Sequence, residues 1–109
     1  MSIQLSYSSD QRIATITIDR PAQRNSLTHE ALQMLQSAAV ELAAAPRCRV
    51  VILTGSGDQT FCAGAALDQL ASGELTSEQY ADAMDVIAAI GQPTIALLNG
   101  NAYGGGAEL

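Results

Sequence analysis

Lysine and tryptophan are absent from this sequence and positive charge is scarce. The five basic residues are all arginines (Arg12, Arg20, Arg24, Arg47 and Arg49), and they fall in the first half of the chain. Against 11 acidic residues they leave a formal net charge of −6, which speaks against nucleic acid as a partner. Long apolar runs are missing as well, since no stretch approaches the roughly 20 residues of a membrane-spanning helix. The first ten residues hold no basic residue and no apolar block. No signal or transit peptide is therefore expected, and the cytoplasm is the expected location. Cysteine is limited to Cys48 and Cys62, whose spacing matches no metal-ligand pattern, and the single His29 adds nothing to a cluster. Both thiols are expected to be reduced and structural, and no metal is expected. There is no repeat and no linker, so residues 1–109 read as a single domain, and 48% hydrophobic residues suffice for its core.

What is present is a regular succession of patterns. Ile3, Leu5 and Tyr7 alternate with polar residues, as do Ala14, Ile16 and Ile18, and the Ser8–Gln11 stretch between them carries turn chemistry. A β-hairpin is predicted. Pro21 ends the second strand because it cannot donate to a ladder and restricts the residue before it, and Ala22–Ser26 reads as a loop. A helix is predicted over Thr28–Ala45, with Thr28 as N-cap, Glu30 in the first turn, Leu32, Leu35, Ala39 and Leu42 on one face, and Pro46 as the stop. The run Val50–Leu53 is continuously apolar, which predicts a strand buried on both faces. Strand, helix, strand in this order implies a right-handed crossover. Gly55 and Gly57 after that strand suggest a dinucleotide loop, but Thr60 stands where the third glycine belongs and no helical period begins there; that reading is rejected. A short helix is predicted to start around Ala66 to Leu70 and a longer one to run over Ser77–Ile90, where Thr76 and Gln79 resemble a capping box. Its stripe of Tyr80, Met84, Ile87 and Ile90 is assigned to core packing, and Gly91 and Pro93 stop it. Thr94–Leu98 reads as another buried strand, broken at Asn99-Gly100.

The chemistry concentrates at the end. Gly104, Gly105 and Gly106 strip three consecutive peptides of side chains, so a ligand can approach their N–H groups. If a helix begins there, its first N–H groups are unpaired and its dipole is positive at that end, which suits an oxygen gaining negative charge. Glu108 follows Gly105 by three positions and would share its side of the helix. The glycines alone are equally compatible with a plain turn beside a solvated glutamate.

A second place of small residues, Phe61-Cys62-Ala63-Gly64-Ala65, changes that balance. Set beside Arg20-Pro21, Arg24-Asn25-Ser26-Leu27, Val51–Gly55 and Asn99-Gly100 with Gly104–Leu109, it resembles the enoyl-CoA hydratase/isomerase (crotonase) family, in motif order and across essentially the whole chain. The resemblance implies an α/β fold, the crotonase-like (ClpP/crotonase) ββα spiral, of which these residues form an incomplete N-terminal portion. It implies an acyl-CoA substrate whose thioester carbonyl lies between the N–H groups of Ala65 and Gly105, with Glu108 as one of two acid/base glutamates. Arg24 would meet the nucleotide end. Ser26 and Leu27 would shape the pantetheine path, Ala63, Ala66 and Leu67 would border the adenine and pantetheine, and Gly104 belongs to the second motif. No separate cofactor is implied, because coenzyme A is part of the substrate. A homo-oligomer, a trimer or dimer of trimers, is implied for the full-length parent.

Two departures qualify the match. Ala66 occupies a position where the family commonly has aspartate, although contacts there are largely made by backbone. Family members are also longer, and their second glutamate lies beyond Leu109. The expectation is therefore an N-terminal portion of a 2-enoyl-CoA hydratase, inactive by itself. The alternatives are an enoyl-CoA isomerase or other crotonase-type lyase, and a non-catalytic fragment that binds CoA or pairs with a full-length subunit.

Overall fold

The computed structural model describes residues 2–102. Strands β1 (Ile3–Tyr7) and β2 (Ile13–Ile18) form the predicted hairpin. Its antiparallel register pairs Ile3 with Ile18, Leu5 with Ile16 and Tyr7 with Ala14, so the alternating apolar residues of both strands share one face. The turn is held by Ser8: its N–H donates to Ile13 O at 2.8 Å, and its hydroxyl donates to Asp10 at 2.7 Å. Helix α1 (His29–Ala43) starts at Thr28, whose hydroxyl accepts from Ala31 N at 3.1 Å, satisfying one of the orphan donors of the first turn. Then follow β3 (Val50–Gly55), β4 (Thr60–Cys62), α2 (Leu67–Ser72), α3 (Ser77–Ala88), β5 (Thr94–Leu97) and β6 (Asn101–Ala102). The capping box of α3 is formed in full, with Gln79 N donating to the Thr76 hydroxyl at 3.1 Å and Thr76 N to the Gln79 amide at 2.9 Å.

The main sheet has the order β1-β2-β3-β5, and β3 lies parallel to both β2 and β5. Parallel neighbours need a crossover: α1 supplies it between β2 and β3, and α3 lies in the second one. The two helices pack on each other and share one core with the sheet: Leu32, Leu35 and Leu42 from α1, Ala83 and Ile87 from α3, and Ala14, Ile16, Ile18, Val51 and Leu53 from the strands. Met84 and Ile90 pack against this core half-buried. No helix among the described residues is long and apolar enough to cross a membrane.

Three local expectations are corrected. Val50–Leu53 alternates instead of being buried on both faces: Val51 and Leu53 are buried, Val50 and Ile52 half-buried. Both crossover helices contribute to the core on the Val51/Leu53 side, so among the described residues the strand has one fully covered face. β5 was expected to be buried, yet all four of its residues are exposed. It is an edge strand with a single neighbour among the described residues, and apolar letters alone do not specify what covers them. The 22–26 loop begins as a 3₁₀ turn at Pro21–Gln23. The short helix α2 starts at Leu67, within the predicted range.

β1 is braced on α1 by Tyr7, whose hydroxyl donates to Glu41 at 2.7 Å. Partial burial, and then this carboxylate, push the phenol up to about 12. Because the folded value lies above the ordinary one near 10, the contribution of Tyr7 to stability is fully present below pH ~10 and is lost as pH rises through the folded value. NMR titration of Tyr7 in Glu41→Gln should give a midpoint moved toward the ordinary value; an unmoved midpoint rules out the carboxylate as a cause. Packing makes a second prediction. Leu35→Ala, at a fully buried position, should cost about 2–5 kcal/mol in urea unfolding. Ile95→Ala, at 55% exposure, should stay within about 0.5 kcal/mol. Equal costs would contradict the edge position of β5.

Candidate functional site

The site is assembled from two loops that the sheet brings together. After β2 the chain enters the 3₁₀ turn, and then Arg24 and Asn25 both take left-handed backbone conformations, with φ of 55° and 53°. Asparagine tolerates that region better than most residues. This bend lays residues 24–27 alongside residues 63–66. Ala63 N donates to Arg24 O at 3.0 Å, Leu27 N to Gly64 O at 2.8 Å, and Ala66 N to Leu27 O at 2.9 Å. Together these bonds make a parallel bridge between Leu27 and Ala65. In such a bridge the bonds run through the peptides on either side of Ala65, so its own N–H points away from Leu27. Among the described residues, no backbone hydrogen bond in these loops engages that N–H. Gly64, with φ of 90°, makes the bend that precedes it, a conformation that a side chain disfavours.

Ala65 lies on a cleft of about 470 Å³ lined by Arg20, Gln23, Arg24, Ser26, Ala63, Ala65, Leu67 and Asp68, a volume within the usual range for small-molecule sites. Arg20 is immobilised, its Nε donating to Ser26 O at 2.9 Å. Arg24 is exposed on the rim, and Asp68, in the first turn of α2, adds a negative charge to the same rim. Among the described residues, the cleft thus has the Ala65 peptide, unspent in the pairing with Leu27, on its small-residue wall and a guanidinium at its rim. Cys62 is buried below, its Sγ accepting from Gly64 N at 3.4 Å, and burial pushes its thiol up. A protonated, enclosed thiol is a packing group and not a nucleophile. Among the described residues, no three His, Cys, Asp or Glu side chains gather as metal ligands.

Of the residues singled out from the sequence, Arg24, Ser26, Ala63, Ala65 and Leu67 line this one cleft. Leu27 and Ala66 do not. Their side chains are buried at 0% and 3% exposure, and they take part through backbone pairing, which needs no particular side chain. Gly104, Gly105 and Glu108, with the helix predicted to start there, lie outside the described residues. The segment that leads to them is in place: β6 runs parallel to β4, pairing Asn101 with Thr60 and Ala102 with Cys62. Arg20, Gln23 and Asp68 were not picked out from the sequence. Arg20 stands in a quoted motif, but only the left-handed bend turns it toward Ser26.

The sequence model of the enoyl-CoA hydratase/isomerase family matches residues 8–109. Bacillus subtilis YngF, an enoyl-CoA hydratase/isomerase-type protein, is 38% identical over 107 residues, which cover 92% of this chain and 40% of that protein. A crotonyl-CoA hydratase of Syntrophomonas wolfei is 32% identical, with 92% of this chain and 40% of that protein covered. Among solved structures, an enoyl-CoA hydratase from Bacillus anthracis superposes with a TM-score of 0.88 at 34% identity, over 99% of this chain and 43% of that one. The chain thus spans about two-fifths of the length of the curated relatives it matches.

The bend at Gly64 makes a prediction. Gly64→Ala should cost about 1–2 kcal/mol of stability, the usual penalty for an L-residue in left-handed backbone, and should shift the amide NMR signals of Ala65 and Leu27 together. Unchanged stability would mean that the bend is not strained.

Proposed function

As this chain belongs to the enoyl-CoA hydratase/isomerase family, we propose that the whole protein adds water across the double bond of 2-enoyl-CoA thioesters. The observation that carries the reading is the Ala65 N–H, which the bridge to Leu27 turns away from the paired segment and which no backbone hydrogen bond among the described residues of these loops engages, at a residue that lines a small-residue cleft. In the proposed mechanism the thioester carbonyl accepts from Ala65 N–H and from Gly105 N–H. Water attacks the β-carbon, giving up a proton, and negative charge moves through the α-carbon onto the carbonyl oxygen. The enolate collapses as the α-carbon takes a proton. Glu108 handles one of these proton transfers, a role worth about 10²–10⁴-fold in rate. Each amide donor aimed at the developing charge is worth roughly 10²–10³-fold.

Arg24 on the rim is the candidate for the phosphates of the nucleotide, while Ser26, Ala63 and Leu67 border the path of the pantetheine. Leu27 and Ala66 serve by backbone pairing, and Gly104 belongs with Gly105 to the second donor segment. Coenzyme A is part of the substrate, and the reading calls for no separate cofactor. A cytoplasmic homo-oligomer, a trimer or dimer of trimers, is the assembly proposed for the parent protein. Hydration is preferred to isomerisation because curated relatives carry hydratase names, crotonyl-CoA hydratase among them.

The test is the absorbance of the conjugated thioester with the whole protein. Crotonyl-CoA should lose that band on hydration, and Glu108→Gln should slow the loss about 10²–10⁴-fold. Arg24→Ala should raise KM several-fold with kcat nearly unchanged, as for a contact made equally in ground and transition states. A gain of the band from a 3-enoyl-CoA, with no loss from crotonyl-CoA, would replace hydration by isomerisation. Turnover of neither would reject both.

A further inference from the structure

Two asparagines that the proposed chemistry does not use converge on the backbone carbonyl of Thr60. Asn25 is wholly buried, the one buried polar side chain among the described residues. Its Oδ1 accepts from Arg20 N at 2.8 Å, while its Nδ2 donates to Ser56 O at 3.0 Å and to Thr60 O at 2.7 Å. Asn99, in the turn between β5 and β6, mirrors this arrangement. Its Oδ1 accepts from Gly55 N at 3.1 Å, and its Nδ2 donates to Gly57 O and to Thr60 O, both at 3.0 Å, with a longer contact of 3.4 Å to Ser56 O, which Asn25 also reaches. Both amides are oriented by their partners, since an N–H lies on the oxygen side and carbonyls lie on the nitrogen side. The Thr60 carbonyl has two lone pairs and receives one amide on each.

The space is as specific as the bonding. A Cβ on Gly55 would stand 2.5 Å from Phe61 O, 2.7 Å from Asn25 Nδ2 and 2.9 Å from Asn99 Oδ1. Glycine is required there to let the two amides close on Thr60. This accounts for the first glycine of the false dinucleotide signature.

We propose that Asn25 and Asn99 are positioning residues, a two-amide clasp on Thr60 that sets where β4 delivers the Ala65 peptide of the site. Thr60 opens β4 and pairs with Asn101 of β6. Downstream of it, the strand runs through Phe61 to its end at Cys62, and the chain continues to Ala65. Asn25 sits in the same segment whose backbone pairs with Ala63, Ala65 and Ala66, so it holds both ends of the path to the Ala65 N–H. Asn99 lies two residues before the β6 partner of Thr60 and ties that turn to the same carbonyl. Aspartate could not replace either residue. It has no donor, and it would set negative charge against carbonyl oxygens that need an N–H.

The catalytic consequence rests on the proposed hydratase reading; the clasp itself does not. The experiment uses the full chain in the whole protein, with Asn25→Asp, Asn99→Asp and Asn99→Ala compared by amide hydrogen exchange and by steady-state kinetics on crotonyl-CoA. Asn99 is only half-buried, so its alanine variant keeps the test open where Asn25→Asp does not fold. Exchange at Ala63 and Ala66 should quicken at least about tenfold while Val51 and Leu53 keep their protection, the signature of local opening. kcat should fall by about 10²-fold, the usual loss for displacement of a reacting group by about 1 Å, with KM changed less than about threefold. Combining Asn25→Asp with Asn99→Asp should cost little beyond the worse single variant, because both act on one carbonyl. Unchanged exchange at Ala63 and Ala66 in a folded variant, or exchange that rises equally at Val51, overturns the clasp. A changed exchange with an unchanged kcat in an active protein overturns its positioning role. A wild-type protein that turns over no enoyl-CoA rejects the hydratase reading, and the exchange data then decide the clasp alone.

Discussion

Three backbone hydrogen bonds, from Ala63, Leu27 and Ala66, fasten two loops that are about forty residues apart in the chain. They are the contact on which the candidate site depends. A parallel pairing of this kind divides the groups strictly: the Gly64 C=O and the Ala66 N–H are spent on Leu27, and the Ala65 N–H, on the opposite side of the trans peptide from the Gly64 C=O, faces the other way. The direction of a potential donor is thus decided by backbone register and not by any side chain. This explains how a site can be built from alanines and glycines, residues that carry no chemistry of their own.

That register is anchored upstream by the main sheet. β2 and β3 are parallel neighbours whose ends, Ile18 and Gly55, lie side by side. The loops that leave them, toward Arg24 and toward Ala65, therefore start from one edge of the sheet. The core under α1 and α3 holds this edge in place, with Leu35, Val51 and Leu53 fully or almost fully buried. The arrangement is the crotonase-type fold of the family, seen over about two-fifths of the length of its relatives. In this portion β5 is an edge strand with exposed Ile95 and Leu97.

Polar groups are used sparingly and where carbonyls collect. The half-buried carbonyls of Ser56 and Thr60, with that of exposed Gly57 beside them, collect beyond the end of β3, and two asparagine amides answer them. A buried carbonyl without a partner is costly, so a network of this kind must be satisfied completely or not built at all. Gly55 is the steric condition for it. Arg20 adds a tie to Ser26 on the other side of the loop, leaving Arg24 as the exposed cation at the cleft.

Sequence by itself determined the local elements. Period two in Ile3–Tyr7 and Ile13–Ile18, the Thr28 cap, the Thr76/Gln79 box and the stops at Pro46 and Gly91 all act within a few residues, and the structure reproduces the hairpin and the helices that they predict. The motifs also identified the family, because their order survives in linear form. Tertiary structure decided the rest. It exposed β5 and half-exposed one side of β3, since burial depends on which elements arrive from far along the chain. It formed the short strands β4 and β6, too brief to leave a period. It sent Leu27 and Ala66 inward while leaving Arg24 at the surface, and it brought Asn25 and Asn99 to one carbonyl. Hydrogen-bond direction and the closure of distant loops are properties of three-dimensional register, and no spacing of letters encodes them.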